Sequence, residues 1–258
     1  MIDRSAAPSP STTSVLAVDR LAKSFGGVEA VRDVSFTIAS GEIVAMIGPN
    51  GAGKTTCFNL VGGQLVPDSG AVSLLGRRID GLPPRAIARA GIARTFQVAA
   101  TFASMSVREN VQMALIAHAG EQRSIASRAA DLHIDEAEAL LDRVGMINLA
   151  AQGCATLAYG DAKRIELALA LANAPKLLLM DEPTAGMSAR ARSRLMQLAA
   201  ELARRDRIAV LFTEHDMDVV FGHADRVIVL DRGRVIAEGA PDAIRADPHV
   251  RAVYLGTG

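Results

Sequence analysis

The sequence predicts an α/β fold built on a parallel sheet, with a helical segment inserted into it. Three observations predict this. Residues Gly48 to Thr55 read Gly-Pro-Asn-Gly-Ala-Gly-Lys-Thr, a glycine-rich loop between the apolar run Ile43-Val44-Ala45-Met46-Ile47 and a helix-compatible stretch. From Leu177 onward, short apolar runs alternate with helical patterns, as in strand–helix–strand units of one parallel sheet. Between these parts, from Ser104 to Ala172, the apolar spacing is helical.

The elements follow in order. Met1 to Ser14 are rich in Ser, Thr, Pro and Ala and lack the apolar core of a secretory signal, so residues 1–14 are expected to be a disordered leader. Val15–Val18, Val34–Ile38 and Ala71–Leu74 read as short strands. With Ile43–Ile47 they make a β-rich N-terminal part. Thr56 to Val61 continue the glycine-rich loop as a helix, and Pro83-Pro84 starts another that runs to Ala90. Ser106 and Glu109 have capping-box spacing ahead of Val111, Leu115 and Ile116. Ile134 to Val144 is amphipathic, with Ala137, Leu140, Leu141 and Val144 on one stripe. Asp161 to Ala172 is a third helical segment. Leu177 to Met180 is a continuous apolar run, as in a parallel strand covered on both faces. Ser188 to Arg205 is helical, with Leu195, Leu198 and Leu202 inward. Ile208–Phe212 and Val227–Leu230 are strands, and Asp231 to Arg234 form a hairpin turn before Val235-Ile236-Ala237. No internal repeat is visible, so the chain holds one such unit.

Composition bounds the function. The 258 residues suit one α/β unit with an insertion, and 50% apolar residues supply a sizeable core. No run of about 18 uncharged apolar residues appears, so nothing spans a membrane. Cys57 and Cys154 carry neither metal spacing nor a disulfide framework, which suits a reducing cytosol. The 28 basic and 28 acidic residues cancel, which argues against a nucleic-acid partner.

The glycine-rich loop fits the phosphate-binding pattern G-x-x-x-x-G-K-S/T. Glycines let the backbone curl until successive N–H groups face an anion, and the following helix adds its positive end. Lys54 can reach β- and γ-phosphates, and the Thr55 hydroxyl can ligate Mg²⁺. Asp181 and Glu182 follow the strand at Leu177–Met180, where ligands bind in parallel sheets. Asp181 can hold Mg²⁺, and Glu182 can polarise water for in-line attack. Alone, Gln97 would be an ordinary loop glutamine. At the end of Arg94-Thr95-Phe96-Gln97, its amide can ligate the metal or the attacking water. His215 follows the strand Ile208–Phe212 and can approach the γ-phosphate or orient Glu182. Phe25, before Gly26-Gly27, can stack on adenine. Leu157-Ala158-Tyr159-Gly160-Asp161 opens a helix and makes a second anion site. Two such sites separated by an insertion do not easily meet on one triphosphate within a monomer. A head-to-tail pair of chains solves the geometry.

At these residues the chain resembles the ATP-binding cassette (ABC) family, from about residue 15 to 255, with the motifs in the family's order. Its phosphate loop would be Gly48, Asn50, Gly51, Ala52, Gly53, Lys54, Thr55 and Thr56. Phe25 would contact adenine, Gln97 would be the Q-loop residue, and Ala158, Tyr159 and Gly160 the signature. Thr55, Gln97 and Asp181 would serve the metal, with Glu182, His215 and Lys54 catalytic. The resemblance implies a P-loop NTPase with a RecA-like core, an antiparallel β lobe and a helical subdomain near residues 98–170, all within one domain at 15–258. It implies ATP and Mg²⁺ as cofactors and coupled ATP hydrolysis by a homo- or heterodimer of cassettes. Such a dimer sits on membrane permease subunits at the cytoplasmic face of the inner membrane, indirectly served by a solute-binding protein.

Ser24-Phe25-Gly26-Gly27-Val28, Leu157-Ala158-Tyr159-Gly160 and Val253-Tyr254-Leu255-Gly256 look like the branched-chain amino acid importer ATPases. Urea and amide importers share much of this pattern, and lipopolysaccharide-export ATPases share the tail. Three positions depart from the wider family: Ala158 stands for the usual Ser, Asp161 for Gln or Glu, and Ser188 for an Asp. Two other classes compete. A soluble cassette protein typically carries two cassettes or a coiled coil, and a module that binds ATP without hydrolysing it would not need Glu182 and His215.

Overall fold

A computed structural model describes residues 14–95, 101–120 and 131–255. Residues 1–13 of the expected leader and Gln97 lie outside the described residues. Ser14, the last residue assigned to that leader, instead opens the first strand.

Two sheets organise the chain. One is antiparallel and four-stranded, in the order β2-β1-β4-β5. Its strands are β1 (Ser14–Phe25), β2 (Val28–Ala39), β4 (Ser69–Leu74) and β5 (Arg77–Arg78). The other has six strands in the order β10-β9-β3-β8-β7-β6. These are β3 (Ile43–Ile47), β6 (Ile92–Thr95), β7 (Leu177–Asp181), β8 (Ala209–Thr213), β9 (Arg226–Asp231) and β10 (Arg234–Gly239). All its pairings are parallel except β9 with β10, the hairpin expected at residues 231–234.

The apolar runs of β3 and β7 are buried on both faces, as their unbroken hydrophobicity requires. Ile43, Ala45 and Ile47 enter one core with Leu178, Met180, Val210 and Phe212. Val44 and Met46 enter a second core with Leu177, Leu179, Leu211 and Phe58. Phe58 belongs to α1 (Lys54–Val61), so the glycine-rich loop is the link between the central strand and a helix packed beneath it.

β1 and β2 have 12 residues each, far longer than the expected Val15–Val18 and Val34–Ile38. The alternation in β1 breaks at Asp19-Arg20, where the structure has a bulge with Arg20 at φ 46°. Leu21 restores the buried phase beyond it. The two strands meet at a two-residue turn, Gly26-Gly27, with both φ values positive.

Between β6 and β7 come α3 (Val107–Ala119), α4 (Ile134–Arg143) and α5 (Tyr159–Leu171). α3 starts with the capping box read from Ser106 and Glu109. The Ser106 Oγ accepts the Glu109 N–H at 3.2 Å, and Glu109 Oε2 accepts the Ser106 N–H at 2.7 Å. These bonds from Ser106 hold the Glu109 carboxyl below its ordinary range. Helices α2 (Pro84–Ala90) and α6 (Ala189–Asp206) match the expected spans within about two residues. Three short helices had not been expected: α7 (Met217–His223), α8 (Pro241–Ala246) and α9 (Pro248–Val250). Their signals are present. Asp216 and Asp247 cap α7 and α9, and Pro241 and Pro248 occupy first turns.

Ser106→Ala should lower stability by about 1 kcal/mol. The check is a fall in the urea midpoint at unchanged slope.

Candidate functional site

The glycine-rich loop leaves β3 at Gly48, with φ 150°. A Cβ on Gly48 would stand 2.1 Å from the Leu230 carbonyl oxygen of β9. One on Gly53, with φ 106°, would stand 2.4 Å from the Ala30 oxygen of β2. Only glycine lets the loop pass between these two backbones. Gly53 precedes α1 and offers no side-chain cap, so the first N–H groups of the helix remain available to an anion.

Lys54 is buried and folds back over its own loop. Its Nζ donates to the Gly48 carbonyl at 2.7 Å and the Pro49 carbonyl at 3.1 Å. Burial lowers its pKa, while the nearby Glu182 and Asp181 carboxylates oppose that shift. Both acids lie at the tip of β7, as read from the sequence. Asp181 is braced twice: Oδ2 pairs with Arg94 Nη2 at 2.8 Å and Oδ1 accepts the Thr213 hydroxyl at 2.8 Å. Arg94 also donates to Asn59 Oδ1 at 2.7 Å, which ties β6, β7 and α1 together.

Glu182 has φ 47°, a backbone cost of about 1 kcal/mol or more that is typical of functional positions. Its N–H donates to both the backbone and hydroxyl oxygens of Thr213. Its carboxylate meets His215 Nε2 at 2.9 Å, and both side chains reach solvent. The structure therefore joins Lys54, Asp181, Glu182 and His215 from three neighbouring strand ends. Arg94, Thr213 and Glu214 were missed as individual residues. Glu214 is buried and accepts the Thr184 N–H and hydroxyl at 2.8 and 2.7 Å. Arg94 had a legible signal, since a lone cation in an apolar strand run needs a partner.

Phe25 stands 46% exposed at the β1–β2 turn, with Lys23 Nζ 5.6 Å from its ring centroid. The same hairpin runs past Gly53 at Ala30 of β2. Asn50, Gly51 and Thr55 are exposed, Thr56 is half-buried, and Ala52 is buried.

Ala158 is the N-cap residue of α5 and supplies no side-chain cap. Tyr159 is 52% exposed, and its hydroxyl donates to the Ala185 carbonyl at 3.0 Å. Gly160 faces Met187. These contacts are with the loop after Glu182. A separate cavity of about 570 Å³ opens between the sheet edge and the helical insertion, where Phe102, Met113 and Leu169 meet Arg94 and Glu166.

Among the described residues, no three His, Cys, Asp or Glu side chains gather as a metal cluster. Thr55 and Asp181 still offer a hydroxyl and a carboxylate. That sparse set of hard oxygens fits a Mg²⁺ ion that takes its other ligands from phosphates and water.

The sequence profile of the ABC transporter family matches residues 31–185. This chain belongs to that family. It is an ATP-binding cassette, and its fold is the ABC ATPase fold. A second profile, that of branched-chain amino acid ATP-binding cassette transporters, matches residues 234–258. The cassette is 40% identical over 249 residues to LivG of Salmonella typhimurium, a high-affinity branched-chain amino acid transport ATP-binding protein. That match covers 94% of this chain and 98% of LivG. BraF of Pseudomonas aeruginosa, described in the same words, is 38% identical over the same shares. A crystal structure of an ABC transporter cassette in its ADP conformation superposes with a TM-score of 0.85 at 29% identity, over 95% of this chain and 100% of the other.

Gly48→Ala should cost more than about 2 kcal/mol, because its Cβ would strike backbone that cannot swing away. Gly51→Ala meets nothing within 4 Å and carries only the strain of its positive φ, about 1 kcal/mol. Thermal or urea unfolding of the two variants checks the contrast.

Proposed function

We propose that this cassette is the ATP-hydrolysing subunit of a branched-chain amino acid importer. The observation that carries the hydrolytic reading is the Glu182–His215 contact at 2.9 Å beside Lys54 and Asp181. The transport reading is supported by likeness over nearly the whole chain to cassettes of that importer group and by the profile at residues 234–258.

In this reading Lys54 leaves the Gly48 and Pro49 carbonyls for the β- and γ-phosphates. The backbone of Gly48, Asn50, Gly51, Ala52 and Gly53, with Thr55 and Thr56, wraps the β-phosphate at the start of α1. Phe25 stacks on adenine. Thr55, Asp181 and Gln97 would hold Mg²⁺, which would supply positive charge to offset that of the phosphates. Glu182 takes a proton from water as its oxygen attacks the γ-phosphorus and the bond to ADP breaks, and His215 Nε2 orients the Glu182 carboxylate. The start of α5, at Ala158, Tyr159 and Gly160, completes the site on a second cassette, of the same or a related kind. Residues 98–170 act as a helical subdomain. The apolar cavity beside it receives a helix of a permease subunit, which places the cassette peripherally at the cytoplasmic face of the inner membrane. No described helix is long and apolar enough to cross a membrane. Closing of the paired cassettes on ATP and reopening after hydrolysis would drive import of solute delivered by a binding protein.

The test is reconstitution of the cassette with its permease partners in vesicles. Glu182→Gln should retain MgATP binding while ATP turnover and labelled leucine uptake fall together by about 10² or more. Unchanged hydrolysis would remove Glu182 as base, and uptake of urea in place of leucine would redirect the solute assignment.

A further inference from the structure

The loop that follows Glu182 is held by its own backbone and by two other elements. Within the loop, the Ala185 N–H donates to the Glu182 carbonyl at 3.2 Å, and the Met187 N–H donates to the Thr184 carbonyl at 3.1 Å. These bonds close a tight turn directly on the residue whose φ is 47°. Buried Glu214, beyond β8, grips Thr184 through its N–H and hydroxyl. The other contact comes from Tyr159, the first residue of α5. Its hydroxyl donates to the Ala185 carbonyl at 3.0 Å. Its ring lies against Gly186, where a Cβ would stand 3.7 Å from the ring carbon Cε1. Gly186 has φ 76°, so the turn presents bare backbone to the ring. Lys163, one turn further along α5, places its Nζ 5.7 Å from the ring centroid. Lys163 is itself buried and donates to buried Glu166 at 3.1 Å, which steadies that side of the ring.

We propose that Tyr159 is a positioning residue for Glu182 of its own chain: its hydroxyl fixes the turn that aims the carboxylate at His215 and the attacking water. Ala185 is bonded on both sides, by its N–H to Glu182 and by its carbonyl to Tyr159. A positive φ at Glu182 costs energy, so the turn keeps that shape only while its surroundings enforce it. Glu214 enforces it at Thr184, and Tyr159 enforces it at Ala185. Without the hydroxyl, water takes the Ala185 carbonyl and the turn gains freedom next to the residue that receives the proton. The placement of Tyr159 gives this contact a second consequence. It opens the helix that, in the reading above, completes the site of a second cassette, and its ring is 52% exposed. One residue then meets a neighbour's nucleotide and steadies its own chain's base. The chemistry of each site thereby depends on the occupancy of the other.

The proposal rests on the reading of Glu182 as general base, and its test separates the two. ATP turnover and MgATP affinity are measured on the cassette reconstituted with its permease partners. The chains compared are the unmodified protein, Tyr159→Phe, Tyr159→Ala, Glu182→Gln and the variant carrying both Tyr159→Phe and Glu182→Gln. Tyr159→Phe keeps the ring beside Gly186 and removes only the hydroxyl. Its kcat should fall about three- to tenfold, the worth of one hydrogen bond, while the Kd for MgATP moves by less than about twofold. Glu182→Gln should lower kcat by about 10² or more. The double variant should fall no further than Glu182→Gln, because the hydroxyl acts through a base that is already gone. Losses that multiply would overturn the proposal and assign the hydroxyl to packing or to the phosphate of a neighbouring cassette. So would a Tyr159→Phe kcat within about twofold of the unmodified protein, a loss seen in Tyr159→Ala alone, or a rise in Kd that accounts for the fall in turnover. Full turnover in Glu182→Gln, or none in the unmodified complex, would sink the general-base reading itself, and the positioning role with it.

Discussion

The close approach of two backbones at the end of β3 governs the site. β3 lies between β8 and β9, buried on both faces, and it can end only where its neighbours allow. At Gly48 the chain turns against the Leu230 carbonyl with no room for a side chain. The height and direction of the loop above the sheet follow from that contact. So does the start of α1, which Phe58 anchors in the core beneath. Because the loop is fixed by packing, Lys54 is held where burial opposes its charge and the β7 carboxylates support it.

The acidic groups around that lysine are arranged by degree of restraint. Glu214 is buried and bonded to Thr184. Asp181 is held from two sides, by Arg94 and Thr213. Glu182 is different: it extends from a strained backbone to meet only His215, with both side chains partly in solvent. A pair this exposed contributes little to stability. The braced groups below it keep the strand ends in register. Deepest in the site are groups that cannot move without breaking several bonds. Nearest the solvent is the Glu182–His215 pair, which fewer bonds restrain.

Much of this was legible from residue order. The strands at Ile43–Ile47 and Leu177–Met180, the capping box at Ser106 and the helix after Pro84 appear where their patterns place them. Local chemistry decides such elements, either through a continuous apolar run or through a reciprocal pair of hydrogen bonds. The errors have local causes too. The bulge at Arg20 shifted the alternation, so β1 read as a four-residue strand and its partner was cut short in turn. The edge strand β6 was passed over because its four residues include Arg94, whose charge is tolerable only with Asp181 across the sheet. α7, α8 and α9 are too short for a periodic pattern, and only their caps announce them.

By itself the sequence determined which residues are candidates for phosphate chemistry, since glycine freedom, a lysine and acidic strand ends are properties of residue type and spacing. It also determined the alternation of strand and helix that sets them at one edge of a sheet. Tertiary structure decided the pairings: Arg94 with Asp181, His215 with Glu182, and Tyr159 with Ala185. Partners such as these lie 26 to 87 positions apart along the chain. No local rule of propensity or periodicity reaches that far, and only the order of strands in the folded sheet brings such distant residues to one point.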